Sequence, residues 1–162
     1  MFTFDIDLAA SKADLYAELL TAAQALTHSE PDPIANMANV AALIWQYMPG
    51  LNWAGFYRLI NDELVLGPFQ GKPACLRIPL GQGVCGTAAL SGETQCVADV
   101  HSFPGHIACD AESRSEIVVP VVHAGRLLGV LDLDSPVPAR FDQEDVAGLK
   151  RLVEHLAFSL AG

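Results

Sequence analysis

Four cysteines, Cys75, Cys85, Cys96 and Cys109, stand at intervals of ten, eleven and thirteen residues. No Cys-x-x-Cys pair occurs, so neither a zinc clip nor a thioredoxin-type redox pair is present. His106 and Cys109 are three residues apart, and a single His–Cys pair is too little for a site, so no metal is expected. The plainest role for a free cysteine is that of a small buried hydrophobe. That role suits Cys96, in the short apolar run TQCVAD. It suits Cys109 poorly, because Cys109 lies among Pro, Gly and His with Asp110 and Glu112 close by. Cys75 follows Pro73 at the entrance to a strand. Cys85 falls in the first turn of a short helix, where the helix N-terminus would lower a thiol's pKa and favour the reactive thiolate.

Carboxylates form the second candidate group. In RLLGVLDLDS (126–135), strand alternation puts Leu127, Gly129, Leu131 and Leu133 on one face and Leu128, Val130, Asp132 and Asp134 on the other. The apolar face belongs against helices, so Asp132 and Asp134 point together to the opposite side. Two carboxylates that close repel, which raises the pKa of one unless a cation lies between them. Glu116 opens the preceding strand, and register decides whether it joins them. A regular two-residue Ala124-Gly125 turn pairs His123 with Arg126 and sets Glu116 opposite Leu133, on the wrong face. A three-residue loop, or a bulge with Pro120 as its favoured position, shifts the pairing and brings Glu116 beside Asp132.

Two helices precede these residues. Ser11 caps the first (11–29), and Leu15, Leu19, Ala22, Ala23 and Leu26 follow helical spacing. Asp32 caps the second, with Pro33 in its first turn, and Pro49-Gly50 ends it. WAGFYRLI (53–60), ELVLG (63–67), CLRIPL (75–80) and TQCVAD (94–99) read as strands, with a short helix starting near Gly83. Residues 99–114 have no clear period, and a loop of that length inside a compact domain is often functional. Asp142 caps a last amphipathic helix over 142–160, with Val146, Leu149, Val153, Leu156 and Leu160 as its stripe. The expected fold is α+β in one domain over 1–162. Long helices cover one face of an antiparallel sheet, and loops and the short helix cover a ligand pocket on the other.

The 162 residues carry 19 Asp+Glu against 9 Lys+Arg, for a net charge of −10. Such a surface repels phosphates, so no nucleic acid and no membrane is expected as a partner. No apolar run is long enough to span a bilayer, and MFTFDIDLAASKAD lacks a signal peptide's basic start, so a cytoplasmic protein is expected.

The stretches GPFQGKPACLRIPLGQGVCGTAA, DVHSFPGHIACDAESRSEIVVPV, GVLDLDS and WAGFYRL resemble the free methionine-R-sulfoxide reductases, enzymes built on a single GAF domain. The likeness runs over essentially the whole chain. It implies reduction of free methionine-R-sulfoxide without metal or organic cofactor, as repair of oxidative damage. By the same likeness Cys109 matches the catalytic cysteine, Cys75 the resolving cysteine and Cys85 a third cysteine able to exchange. Glu116, Asp132 and Asp134 match the acids of the site, and Trp53 and Tyr57 the aromatics beside the substrate's thioether end. A thioredoxin-like dithiol would be the reductant, and the terminal helices could form a GAF-type homodimer. A GAF sensor binding a cyclic nucleotide is the rival class, and an acidic pocket suits a phosphate poorly.

Overall fold

The computed structural model describes residues 2–105 and 111–161, so Cys109, with its neighbours 106–110, lies outside the described residues. Helix α1 (Lys12–Thr27) starts at Ser11, whose side chain accepts from the Asp14 N–H. Helix α2 (Pro33–Tyr47) starts at Asp32, which accepts from the N–H groups of Ile34 and Ala35. There follow β1 (Trp53–Ile60), β2 (Glu63–Gly71), β3 (Arg77–Pro79), α3 (Gly83–Ser91) and β4 (Gln95–Val97). Then come β5 (Ser115–His123), β6 (Arg126–Ser135) and α4 (Gln143–Leu160). The strands form one antiparallel sheet in the order β3-β2-β1-β6-β5-β4. This is the expected α+β architecture.

Strand alternation divides the apolar residues between two cores. Ala54, Phe56, Ile117, Val119, Leu131 and Leu133 pack against α1, α2 and α4. Trp53, Tyr57, Leu64, Val118 and Val130 pack on the other face with Val84, Cys85 and Ala88 of α3. Strand β2 runs four residues past the expected end at Gly67, because a bulge opposite Gly55–Tyr57 absorbs Gly67 and Pro68 without ending the pairing.

The β5–β6 hairpin corrects the expected register. The two-residue turn is retained, with Ala124 at φ 49° and Gly125 at φ 77°, the signature of a type I′ turn. The irregularity sits at the step where Val121 pairs with Gly129 and Val122 with Leu127. The extra residue is therefore Leu128 on β6, and Pro120 pairs regularly with Val130. Two consequences follow. Leu128 turns to the helix side and Leu127 to the α3 side, the reverse of simple alternation. Glu116 stands opposite Asp134, with Asp132 opposite Val118, so all three acids share the face away from the long helices.

Helices α1 and α4 meet at a glycine. The Tyr16 ring lies directly on Gly148, where an added Cβ would come within 2.2 Å of Cγ. The ring cannot swing away freely, because its hydroxyl donates to Asp145 Oδ1 at 2.9 Å and Asp145 is only 1 % exposed. Gly148→Ala gains about 1 kcal/mol of helix propensity but overpacks the contact at a cost of about 1–3 kcal/mol. The clash should prevail, and thermal unfolding should show a Tm a few degrees lower. A raised Tm would show that the two helices separate without cost.

Candidate functional site

The site lies on the α3 side of the sheet, between β1, β6, β5 and the loop joining β2 to β3. Trp53 and Tyr57 are two and four residues apart from Gly55 and each other on one face of β1, and Gly55 is what lets their rings lie down. A Cβ on Gly55 would stand 2.8 Å from Trp53 Cη2 and 2.3 Å from Phe69 Cβ. With that space free, the Trp53 ring stacks on Tyr57 at 5.8 Å between centroids and on Phe69 at 5.2 Å. Both aromatics also hold the β2–β3 loop by its backbone. Trp53 Nε1–H donates to the Lys72 carbonyl at 3.2 Å, and the Tyr57 hydroxyl donates to the Cys75 carbonyl at 3.1 Å. Trp53, Tyr57, Lys72, Pro73, Ala74, Asp132 and Asp134 enclose a cavity of about 20 Å³. That is room for about one water.

Sequence reasoning missed Phe69, because the run PFQGKPA reads as a loop. The signal was present in the alternation of WAGFY. A glycine between two aromatics on one strand face marks rings lying across the strand, and a third ring on the neighbouring strand can complete the stack.

Beneath the cavity Cys85, Glu116 and Asp132 meet. All three are buried, with one ligating atom from each within 4.8 Å of the others, and Cys85 Sγ lies 3.9 Å from Glu116 Oε1. Burial, reinforced by the Asp132 and Asp134 charges, raises the Glu116 carboxyl well above the ordinary carboxylate range. Burial likewise raises Asp132 to about 7, against opposing hydrogen bonds from Cys85 and Glu116. Asp132 Oδ1 has no hydrogen-bond partner among the described residues. Asp134 is half-buried and borders the cavity directly. Metal binding would require thiol and carboxyls to lose their protons together. With no ion between them, all three hold protons more tightly than they would in water, which makes them candidate proton donors.

Two cysteine expectations need correction. Cys85 does lie in the first turn of α3, but it is fully enclosed, and burial with the Asp132 and Glu116 charges raises its thiol well above the ordinary range. Desolvation and like charge outweigh the partial charge of the helix end. Cys96 is exposed rather than buried. It sits on the three-residue edge strand β4, with Sγ 3.6 Å from the Phe141 carbonyl oxygen. Cys75 is half-buried in the β2–β3 loop and disulfide-bonded, whereas Cys85 and Cys96 are free.

The raised carboxyls make stability depend on pH. Above about pH 4 the unfolded chain releases the Asp132 proton, whereas the folded protein keeps it up to about pH 7. The folded state binds more protons in that window, so stability falls as pH rises through it. Glu116 acts in the same direction. Asp132→Asn should flatten the decline, leaving a variant more thermostable than wild type at pH 8 and closer to it at pH 5. An equally steep loss of Tm in both proteins between pH 5 and 8 would contradict the assignment.

A six-stranded antiparallel sheet with long helices on one face and loops and a short helix on the other is the architecture of a GAF domain. The family model described as GAF domain matches residues 35–161. The chain is 52% identical over 151 residues to the free methionine-R-sulfoxide reductase of Escherichia coli, covering 93% of this chain and 92% of that protein. It is 44% identical over 152 residues to the free methionine-R-sulfoxide reductase of Saccharomyces cerevisiae, covering 89% and 84%. The X-ray structure of the free methionine-R-sulfoxide reductase from Neisseria meningitidis in complex with its substrate superposes with a TM-score of 0.94. That match has 45% sequence identity and covers 99% of this chain and 96% of that one. The chain belongs to the free methionine-R-sulfoxide reductase family. Among the described residues, no helix is long and apolar enough to cross a membrane.

Proposed function

We propose that the protein reduces free methionine-R-sulfoxide to methionine by a cysteine relay, as repair of oxidative damage in the cytoplasm. One observation carries the reading. Asp132, which holds its proton to about pH 7, lines the Trp53–Tyr57 cavity together with Asp134, and the disulfide-bonded Cys75 directly follows Ala74 of the cavity wall.

The Cys109 thiolate attacks the sulfoxide sulfur while Glu116, kept neutral by burial, gives a proton to the sulfoxide oxygen. The attack forms a transient bond between the two sulfurs, and the protonated oxygen then passes to the Cys109 sulfur as that S–S bond and the sulfoxide S–O bond break. Methionine departs reduced and Cys109 becomes a sulfenic acid. The Cys75 thiol then displaces that oxygen as water, giving the Cys75–Cys109 disulfide. A thioredoxin-like dithiol returns both cysteines to thiols by exchange and is itself oxidised to a disulfide. Cys85, buried and raised, serves as the weak S–H donor to Glu116 and exchanges slowly. Trp53 and Tyr57 flank the thioether end, and Asp134, the more exposed acid, pairs with the substrate's ammonium group. A methionine within a polypeptide has no such ammonium, which accounts for a preference for the free amino acid. In the oxidised form the cavity holds only about one water. Breaking the Cys75 disulfide frees the β2–β3 loop to admit substrate.

Counting thiols tests the reading against a binding-only sensor. The reduced protein should lose two thiols on adding one equivalent of methionine-R-sulfoxide without reductant. Retention of all four would favour the sensor. A GAF-type homodimer through the terminal helices is compatible with this chemistry and is not required by it.

A further inference from the structure

Phe69 does not line the cavity, yet it stacks on the Trp53 ring that does. Trp53 is held by four contacts. Its ring stacks on Tyr57 and on Phe69, its Nε1–H is tied to the Lys72 carbonyl at 3.2 Å, and its far edge fills the space above Gly55. A ring held in this way cannot tilt to enlarge the pocket. The backbone offers no slack, because a Cβ on Gly71 would meet the Asn52 carbonyl oxygen at 2.7 Å and Trp53 Cδ1 at 2.9 Å. Strands β1 and β2 are therefore in close contact behind the stack.

We propose that Phe69 is a positioning and specificity-determining residue. By fixing the Trp53 ring, it limits the pocket to a substrate whose sulfur carries a methyl group. The proposal rests on the reading that Trp53 borders the substrate's thioether end. One added methylene is worth about 10–200-fold in discrimination only when the pocket wall cannot yield. Here rigidity comes from a residue on the neighbouring strand. Phe69→Ala leaves a void the size of a phenyl ring behind Trp53, into which the indole can retreat.

The test has two readouts. The sequence has two tryptophans, so a Trp45→Phe background isolates Trp53 emission. In that background Phe69→Ala should raise the acrylamide quenching of Trp53 severalfold, and Phe69→Leu should restore most of the protection. In steady-state kinetics Phe69→Ala should raise KM for methionine-R-sulfoxide about tenfold with kcat within about twofold. It should also lower the preference for methionine-R-sulfoxide over ethionine-R-sulfoxide, in kcat/KM, by about tenfold. Unchanged quenching would overturn the proposal whatever the activity. An unchanged methyl-to-ethyl preference with increased quenching would overturn it as a specificity device. Failure of the underlying reading looks different, as wild-type protein inactive on both sulfoxides.

Discussion

Cys109→Ser should release no methionine from free methionine-R-sulfoxide, even in a single turnover with fully reduced enzyme. A serine hydroxyl is not ionised near neutral pH and cannot form the sulfur–oxygen bond that takes the sulfoxide oxygen. The rate should fall by at least about 10³-fold. The alternatives are weak on physical grounds. Cys85 is enclosed with its thiol raised by burial and by two acids, and Cys96 lies on the edge strand β4. The acids do not disqualify Cys109, because in the proposed mechanism they serve the substrate's ammonium and its developing hydroxyl rather than the nucleophile. Rapid quench with quantification of methionine is the measurement. One equivalent released by Cys109→Ser would move the attack to another cysteine.

Cys75→Ser should separate the chemistry from the recycling. The variant keeps the nucleophile and the acids, so it should release one methionine per enzyme at close to the wild-type rate. It should then stall with thioredoxin as reductant, at no more than a few per cent of wild-type turnover. Cys75 is the disulfide-bonded cysteine of the oxidised protein, and Cys85 is free. A buried thiol with a raised pKa exchanges slowly because so little of it is thiolate. Full thioredoxin-driven turnover in Cys75→Ser would make Cys85, or direct attack by the reductant, the main route.

Much of this arrangement is legible in the sequence where the physics is local. Ser11, Asp32 and Asp142 announce their helices because a capping oxygen must precede the first free N–H groups. Alternation in LDLDS places Asp132 and Asp134 together, and parity needs no long-range information. The β5–β6 register is different. Leu127 and Leu128 are both apolar, so either can face either core, and the pattern does not record which one bulges. Gly129 was the available clue. A Cβ there would meet the Tyr57 carbonyl oxygen at 2.1 Å, so β1 and β6 approach closely just beyond the bulge. Pro120 was a misleading one. Strand β4 pairs only with Glu116–Val118, so Pro120 lies where β5 has become an edge and a proline is tolerated.

Burial decides the character of Cys85 and Cys96. The N-terminus of α3 alone would lower the Cys85 thiol's pKa, but enclosure with Glu116 and Asp132, which come from distant strands, overrides it. Cys96 reads as core because TQCVAD is apolar, and only the sheet order reveals a three-residue edge strand with its thiol outward. Phe69 escaped notice for a similar reason, since its partner Trp53 lies sixteen residues away on another strand.

The proposed substrate is the free amino acid sulfoxide of R configuration. NADPH consumption with thioredoxin and thioredoxin reductase tests it most directly, comparing free methionine-R-sulfoxide, its S epimer and a peptide-bound methionine-R-sulfoxide. Turnover should be seen with the free R epimer, and rates should be at least about 10²-fold lower with the other two, which lose either the attack geometry or the ammonium contact. Comparable turnover of the peptide-bound sulfoxide, or none with the free R epimer, would contradict that assignment.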